Sequence, residues 1–455
     1  MTYNPRITPD KVHETLGKHI LADGMDMVLD LHKSKSPYIY DAHHNRHFLD
    51  FFTFFASNPL GMNHPKVVEN EAFKAKIGHI ALHNPSNSDI YTQEMAEFVD
   101  TFSRVGIPEN MPHAFFVAGG GLAIENALKA AFDWKVQKNF EKGYRTEKGH
   151  KVLHFDQAFH GRTGYTMSMT NSQPVKIAYF PKFDWPRVTN PKMVFPMDEK
   201  NKTHVVEQEQ LALAQAERHF EENKDDIAAI IIEPIQGEGG DNHFRPEFHK
   251  ALRELADRHE ALLIHDEVQT GIGLTGKFWA HEHYVQPDIL AFGKKSQVCG
   301  ILAGRRIDEV ENNVFTVSSR LNSTWGGNLV DMVRFARYLE IIEEDNLVEN
   351  AAQTGAYLQE QLGQLIGEFD FINNARGRGL MCAFNFVDDA SRSIFLDSAY
   401  ENGLVILPSG ETTVRFRPPL TLQPEHVDEG MEIIRKSLVA TWDKSPDLRT
   451  RFAIS

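Results

Sequence analysis

Two groups that could do chemistry together sit in the middle of this sequence, Asp266 within ALLIHDEV (261–268) and Lys294 at the end of PDILAFGK (287–294). Each closes an apolar run that reads as a strand, with a helix-length segment between them. A carboxylate so placed can keep a pyridine nitrogen protonated, and a lysine amine can hold an aldehyde as a Schiff base and later move a proton. Pyridoxal phosphate needs both, the first so that its ring can act as an electron sink. Carboxylates and lysines also end strands without any chemical role, so the weight of the pair comes from its surroundings.

Four other places carry candidate groups. Gly119, Gly120 and Gly121 lie between a strand and a helical segment, where backbone and helix N-terminus can approach a phosphate. The run is also compatible with a plain tight turn, and it lacks the G-x-G-x-x-G spacing of a dinucleotide loop. Phe159-His160-Gly161-Arg162 follows another strand; Phe159 can be core or can stack on a flat ring, and Arg162 suits a carboxylate better than packing. His160 receives no role. Glu238 stands in the glycine-rich EPIQGEGG (233–240), directly after a strand, as a site carboxylate or a simple loop acid. Arg415 and Arg417 are two apart in VRFRPP, on one face of a regular strand, and one of them is expected to be fixed against a partner.

The elements that must position these groups follow a clear rhythm. HAFFVAGG (113–120), KVLHFDQAF (151–159), AAIIIEP (228–234), ALLIHDEV and PDILAFGK alternate with helix-like segments, the mark of parallel strands with crossover helices. In 122–140, Ile124, Leu128, Ala131 and Trp134/Lys135 keep a helical period. The charged stretches 135–151 and 198–226 read as solvated helices or surface insertions. After about 330 the chain turns to long helices, then the short strands GRGLMCAFNFV, LVILPSG and TVRFRPPL, and a last helix over 424–442. The expected division is an N-terminal segment 1–75 contributing to a small α+β domain, a large domain 76–330, and a C-terminal small domain 331–455.

Composition narrows the function class. A net charge of −15 argues against a nucleic-acid binder, whose affinity comes from neutralising phosphates. The first twenty residues hold no apolar core of a secretory signal, and no run approaches the roughly 20 apolar residues that span a bilayer. Cys299 and Cys382, the only two cysteines, are far apart and outside metal-ligand spacing. The expectation is a soluble cytoplasmic protein with reduced thiols, no metal and no membrane partner.

Taken together, IHDEVQTGIGLTGKFWAHEHYVQPDILAFGKKSQVCG (264–300) resembles the cofactor-attachment segment of the class III (ω-) aminotransferases. AFHGRTG, EPIQGEGG, STWGGN and VRFRPP occur in the family's order, so the likeness spans most of the chain. It implies a fold type I α/β transferase, with a large domain on a mixed, mostly parallel sheet and a smaller α+β domain. It further implies pyridoxal 5′-phosphate as cofactor and a homodimer with active sites at the subunit interface. Lys294 would be the Schiff-base lysine, six residues after Asp288, with Lys295 a bystander. Asp266 would pair with the pyridine nitrogen, Gln269 with the ring hydroxyl, and Val268 and Phe159 would sandwich the ring. Gly120 and Gly121 would hold the phosphate, with Thr324 from a neighbouring subunit. Arg162, helped by Asn322, would take the carboxylate of an ω-amino donor; Arg415 would bind the α-carboxylate of 2-oxoglutarate or glutamate, and Glu238 would cap Arg415 in between. The family's usual phosphate-loop hydroxyl is absent, Gly119-Gly120-Gly121 standing in its place.

VAGGGLAIENALKAAFDWK, FGKKSQVCG and SRLNSTWGGN are most similar to members that transfer the side-chain amine of L-lysine to 2-oxoglutarate. Members using ornithine, acetylornithine or 4-aminobutyrate are the nearest alternative. An aminomutase or decarboxylase on the same fold would not need Arg415 with its cap, and a nicotinamide dehydrogenase has only the glycine run in its favour.

Overall fold

A computed structural model describes residues 6–452, so the first five of the twenty N-terminal residues that lack a signal-like apolar core lie outside it. After a short helical segment, 9–16, the first strands form a hairpin, β1 (Tyr38–Asp41) and β2 (Arg46–Asp50), in which Tyr38 faces Leu49. The large sheet follows: β3 (His113–Val117), β4 (Lys151–Phe155), β5 (Arg187–Val188), β6 (Ile227–Ile232), β7 (Leu262–Asp266), β8 (Ile289–Phe292) and β9 (Cys299–Ala303). Its order is β3-β9-β8-β7-β6-β4-β5. β9 runs antiparallel to both neighbours and the other pairs are parallel, which makes the sheet mixed but mostly parallel, as expected.

Burial explains why these strands are continuous apolar runs. Every residue of β6, β7 and β8 is buried, because helices cover both faces of the sheet. Ile231, Ile264, Ile289 and Ile301 point to one face and pack with Ile124, Leu128, Ala131 and Trp134 of the helix Gly120–Glu141. Their alternates Ile230, Ile232 and Leu263 face Phe220, Phe248 and Leu252 of the helices Glu199–Glu222 and Pro246–Arg258. Lys135, in a stretch read as solvated, is instead buried; its amine donates to the carbonyl of Glu260 at 2.7 Å.

The remaining strands are β10 (Ile372–Arg378), β11 (Met381–Phe386), β12 (Leu404–Val405), β13 (Leu407–Ser409) and β14 (Thr413–Phe416). β10, β11, β14 and β13 form an antiparallel sheet in that order. The helices Leu329–Glu344, Leu347–Glu368 and Pro424–Lys444 pack into the core shared with this sheet. β12 pairs in parallel with β2, Leu404 opposite Leu49, so the N-terminal hairpin is tied to the C-terminal part of the chain.

The hairpin leads into a tight turn at which Thr53, Phe54, Phe55 and Ala56 all have positive φ. Asp50 Oδ1 accepts the N–H groups of Phe52 and Thr53, at 2.9 and 2.7 Å, and so fixes this turn. Burial pushes its carboxyl up from the ordinary 3.8 to about 6, against the pull of those two N–H groups. A raised carboxyl contributes stability below its unfolded value that is lost as pH rises through the folded one. Two units correspond to about 3 kcal/mol. Asp50→Asn keeps an acceptor and removes the titration. The stability of the variant relative to the native chain is therefore expected to rise between pH 4 and 6.5 and then level off. Urea midpoints across that range check this; a difference that does not change with pH would count against it.

Candidate active site

β3, β4, β6, β7 and β8 share one direction, so the segments leaving their carboxyl ends converge on one edge of the sheet, where open α/β sheets bind ligands. One cavity there is lined by Gly120, Gly121, Phe159, His160, Gly161, Glu233, Asp266, Val268, Gln269 and Lys294. Gly120 and Gly121 come from the end of β3, Phe159 and His160 from that of β4, Glu233 from that of β6. Asp266 ends β7, opposite Ala291 of β8, and Lys294 lies two residues past the end of β8. The two groups, separate in sequence, are thus brought to adjacent strand ends.

Lys294 is held at φ 54, a left-handed conformation unusual for a lysine, and such outliers cluster at functional sites. Burial pushes its amine below the ordinary lysine value, while Asp266 pulls the other way and Arg415 adds to the depression. Lys295 takes no part in the cavity: its buried amine donates to the carbonyl of Gln269 at 2.6 Å.

Asp266 is fixed by two contacts. Its Oδ1 accepts the Val268 N–H at 3.1 Å and its Oδ2 lies 2.8 Å from His160 Nδ1. His160, left without a role by the sequence, therefore orients the carboxylate; its Nε2 is buried without a partner. Glu233 is a second residue the sequence did not single out. It accepts the N–H groups of Phe159 at 2.9 Å and Gly237 at 3.0 Å, tying two lining loops together. Burial raises its carboxyl, only partly opposed by His160. No spacing in the sequence links His160 to Asp266 or Glu233 to Phe159.

Gln269 Oε1 accepts from Arg417 Nε and Nη2 at 3.0 and 2.7 Å, which leaves the amide nitrogen of Gln269 for the cavity. Gly237 passes close beneath this amide: a Cβ there would stand 2.3 Å from that same oxygen and would displace the Gln269 side chain. Of the two arginines, Arg417 is the fixed one, gripping Asp241 at 2.8 and 2.6 Å in a fully buried pair. Arg415 is also buried, yet only its Nη2 is used, on Glu238 Oε2 at 2.8 Å; Nε and Nη1 have no partner. Burial alone would raise the Glu238 carboxyl, but Arg415 and Lys176 hold it below its ordinary value.

At the other end, the helix Gly120–Glu141 begins on Gly119, and the amides of Gly120, Gly121 and Leu122 have no backbone partner among the described residues. Gly120 lies so close to Val268 that a Cβ would meet its Cγ1 at 2.9 Å. Unpaired amides at the positive end of a 22-residue helix suit a phosphate. Arg162, next to the lining Gly161, is exposed and has no ion-pair partner among the described residues. Asn322 and Thr324 stand apart, exposed on a loop; Asn322 lines a different hollow with Asn87, Ser88 and Tyr91. The chain by itself does not bring these two to the cavity.

The family model described as aminotransferase class-III matches residues 20–438. The chain belongs to the class III aminotransferases. It is 53% identical to an L-lysine-epsilon aminotransferase of Mycobacterium tuberculosis, over 95% of this chain and 96% of that one. It is 49% identical to the enzyme of that name from Amycolatopsis lactamdurans, over 94% and 96%. The solved lysine aminotransferase from M. tuberculosis superposes with a TM-score of 0.94 at 52% identity, covering 96% of this chain and all of that one.

The residues present fit the family's cofactor, pyridoxal 5′-phosphate. Unpaired helix N-terminal amides, a buried lysine of depressed basicity and a fixed buried carboxylate line one cavity.

Proposed function

We propose that this aminotransferase moves the ε-amino group of L-lysine to 2-oxoglutarate. The products are 2-aminoadipate 6-semialdehyde, which cyclises to 1-piperideine-6-carboxylate, and L-glutamate. The observation that carries the two-substrate reading is Arg415: a buried guanidinium with two unused donors and one removable carboxylate on the third. Once Glu238 leaves Nη2, a 2-oxo acid carboxylate can take Nη2 together with one of the free nitrogens as a fork. When the donor is lysine, reacting through its side chain, no carboxylate reaches that spot, and Glu238 compensates the buried charge. The choice of lysine rests on the relatives of that name at 53 and 49% identity.

Bound in the cavity, pyridoxal 5′-phosphate supplies an electron sink and a carbon that carries the amino group between substrates. The rest falls to the chain. The amides of Gly120 and Gly121 would hold the phosphate, Val268 and Phe159 would flank the ring, and Gln269 would donate its amide N–H to the ring hydroxyl. Asp266, steadied by His160, would set its carboxylate against the ring nitrogen before the reaction begins, so that no reorganisation is needed as charge develops. Lys294 would anchor the cofactor, and its amine would move the proton of the substrate carbon that bears the nitrogen. Its depressed basicity leaves more of the neutral amine available for that transfer at neutral pH. Arg162 would take the distal carboxylate of the donor; Asn322, which lines a different hollow in the single chain, would join it only from a second copy. The two halves share one cavity in turn, giving ping-pong kinetics.

The site is completed in a homodimer on this reading, in the cytoplasm. Leu82, Ile90, Tyr91 and Trp325 expose apolar surface beside Thr324, whose carbonyl accepts from Ser86 at 2.6 Å. That face suits a second copy, to which Thr324 would be presented. The deciding measurement is the donor profile with lysine, ornithine and 4-aminobutyrate against 2-oxoglutarate. Lysine is expected to be used best, by at least about tenfold in kcat/KM. o-Aminobenzaldehyde should trap a cyclic imine from lysine; trapping from ornithine alone would overturn the lysine assignment.

A further inference from the structure

Glu238 does not face Arg415 alone. Its other oxygen, Oε1, accepts from the amine of Lys176, which ends the short turn Pro174–Lys176. The result is a row of cation, carboxylate and cation, with one oxygen of Glu238 given to each side. The Lys176 side chain is only 9% exposed, and its amine lies 5.2 Å from the centre of the Phe159 ring, itself a wall of the cavity. Water therefore screens this contact poorly, and no other acceptor competes for the amine among the described residues.

The charges in this row can be counted for each substrate. With a donor that brings no carboxylate to Arg415, Glu238 serves both cations. When a dicarboxylate arrives, its own oxygens serve Arg415, and Glu238 must leave without becoming an unpaired buried charge. Lys176 already grips the oxygen that Arg415 does not use. We propose that Lys176 is the second anchor of Glu238, retaining the carboxylate when an incoming 2-oxo dicarboxylate displaces it from Arg415, and so setting how readily the second substrate is accepted. This rests on the reading of Arg415 as the acceptor's carboxylate site. Lys176 is a positioning residue on this account, acting through Glu238.

The test is a full ping-pong analysis of holoenzyme variants, giving KM for 2-oxoglutarate and for lysine separately. Lys176→Met is expected to raise KM for 2-oxoglutarate about tenfold, the size of a contact-pair coupling, with KM for lysine changed less than about threefold. Lys176→Arg, which keeps the charge, should return both close to native values. In a Glu238→Ala background there is no carboxylate to retain, and Lys176→Met should add nothing. A rise of equal size in that background would mean that Lys176 meets the substrate directly, and would overturn the proposal. A parallel rise in both KM values would mark a merely structural role and would overturn it too. Arg415→Ala separates the two layers. If it raises KM for 2-oxoglutarate while Lys176→Met does not, the Lys176 proposal fails and the acceptor site stands; if Arg415→Ala leaves that KM unchanged, both fail.

Discussion

Lys294→Ala is expected to lower kcat on the order of 10⁴-fold or more, because proton transfer by a positioned base alone contributes up to about that factor. The variant also loses the amine that anchors the cofactor, so borohydride reduction should leave a cofactor-bearing peptide in the native enzyme and none in the variant. Neighbouring Lys295 offers no rescue. Its amine is buried on the far side of the turn, donating to the carbonyls of Gln269 at 2.6 Å and Ala56 at 3.4 Å. Burial also depresses its basicity strongly, with the Lys294 charge adding to the effect, but a low basicity is useless without access to the cavity. Retention of more than about 1% of native kcat, or an adduct on Lys295, would show that the wrong lysine has been assigned.

The sequence carried the site's main chemistry because its central strands are buried on both faces. β6, β7 and β8 are then near-continuous apolar runs, and the charged residues that close them, Asp266 at the end of β7 and Lys294 just past β8, stand out. The helix Pro424–Lys444 and the strands around Arg415 were legible for the related reason that their periodicities are clean, although the helix expected to be last is followed by one more, Pro446–Phe452. Strand order was not. β9 begins only five residues after Lys294 and turns back between β8 and β3, where Gly300 lets it approach the Phe115 carbonyl, 2.2 Å from where a Cβ would be. A short CGILA run after a lysine announces none of this. Nor could local spacing show that β2 pairs with β12, since the partners lie some 355 residues apart.

The residues missed at the site share one property: their role is defined by a partner distant in sequence. His160 is meaningful only against Asp266, 106 residues away, and Lys176 only against Glu238, 62 residues away. A histidine after a strand and a lysine in a turn are unremarkable until the fold closes. Arg415 and Arg417 make the converse point. Two similar arginines in one motif are separated by burial and pairing, the one fully committed to Asp241 and Gln269, the other holding two donors in reserve.

Asp266→Asn should be the next most damaging change after loss of the lysine, and for a purely electrostatic reason. The substitution preserves shape and leaves an oxygen to accept from the Val268 N–H at the native 3.1 Å position, so the walls of the cavity are not disturbed. What disappears is a buried negative charge set in place ahead of the reaction. Losing one preorganised interaction of this kind typically costs about 10²–10³ in kcat. His160 cannot make up the loss, because it meets Asp266 as a hydrogen-bonding partner and brings no negative charge of its own. The expected signature is therefore a fall in kcat of about 10²–10³-fold in both half-reactions, with the KM values for lysine and 2-oxoglutarate moved far less, since neither substrate touches Asp266. A selective loss in one half-reaction would instead place Asp266 among the substrate-binding groups. A kcat within about fivefold of native would mean that the charge at the end of β7 is not what stabilises the reacting state.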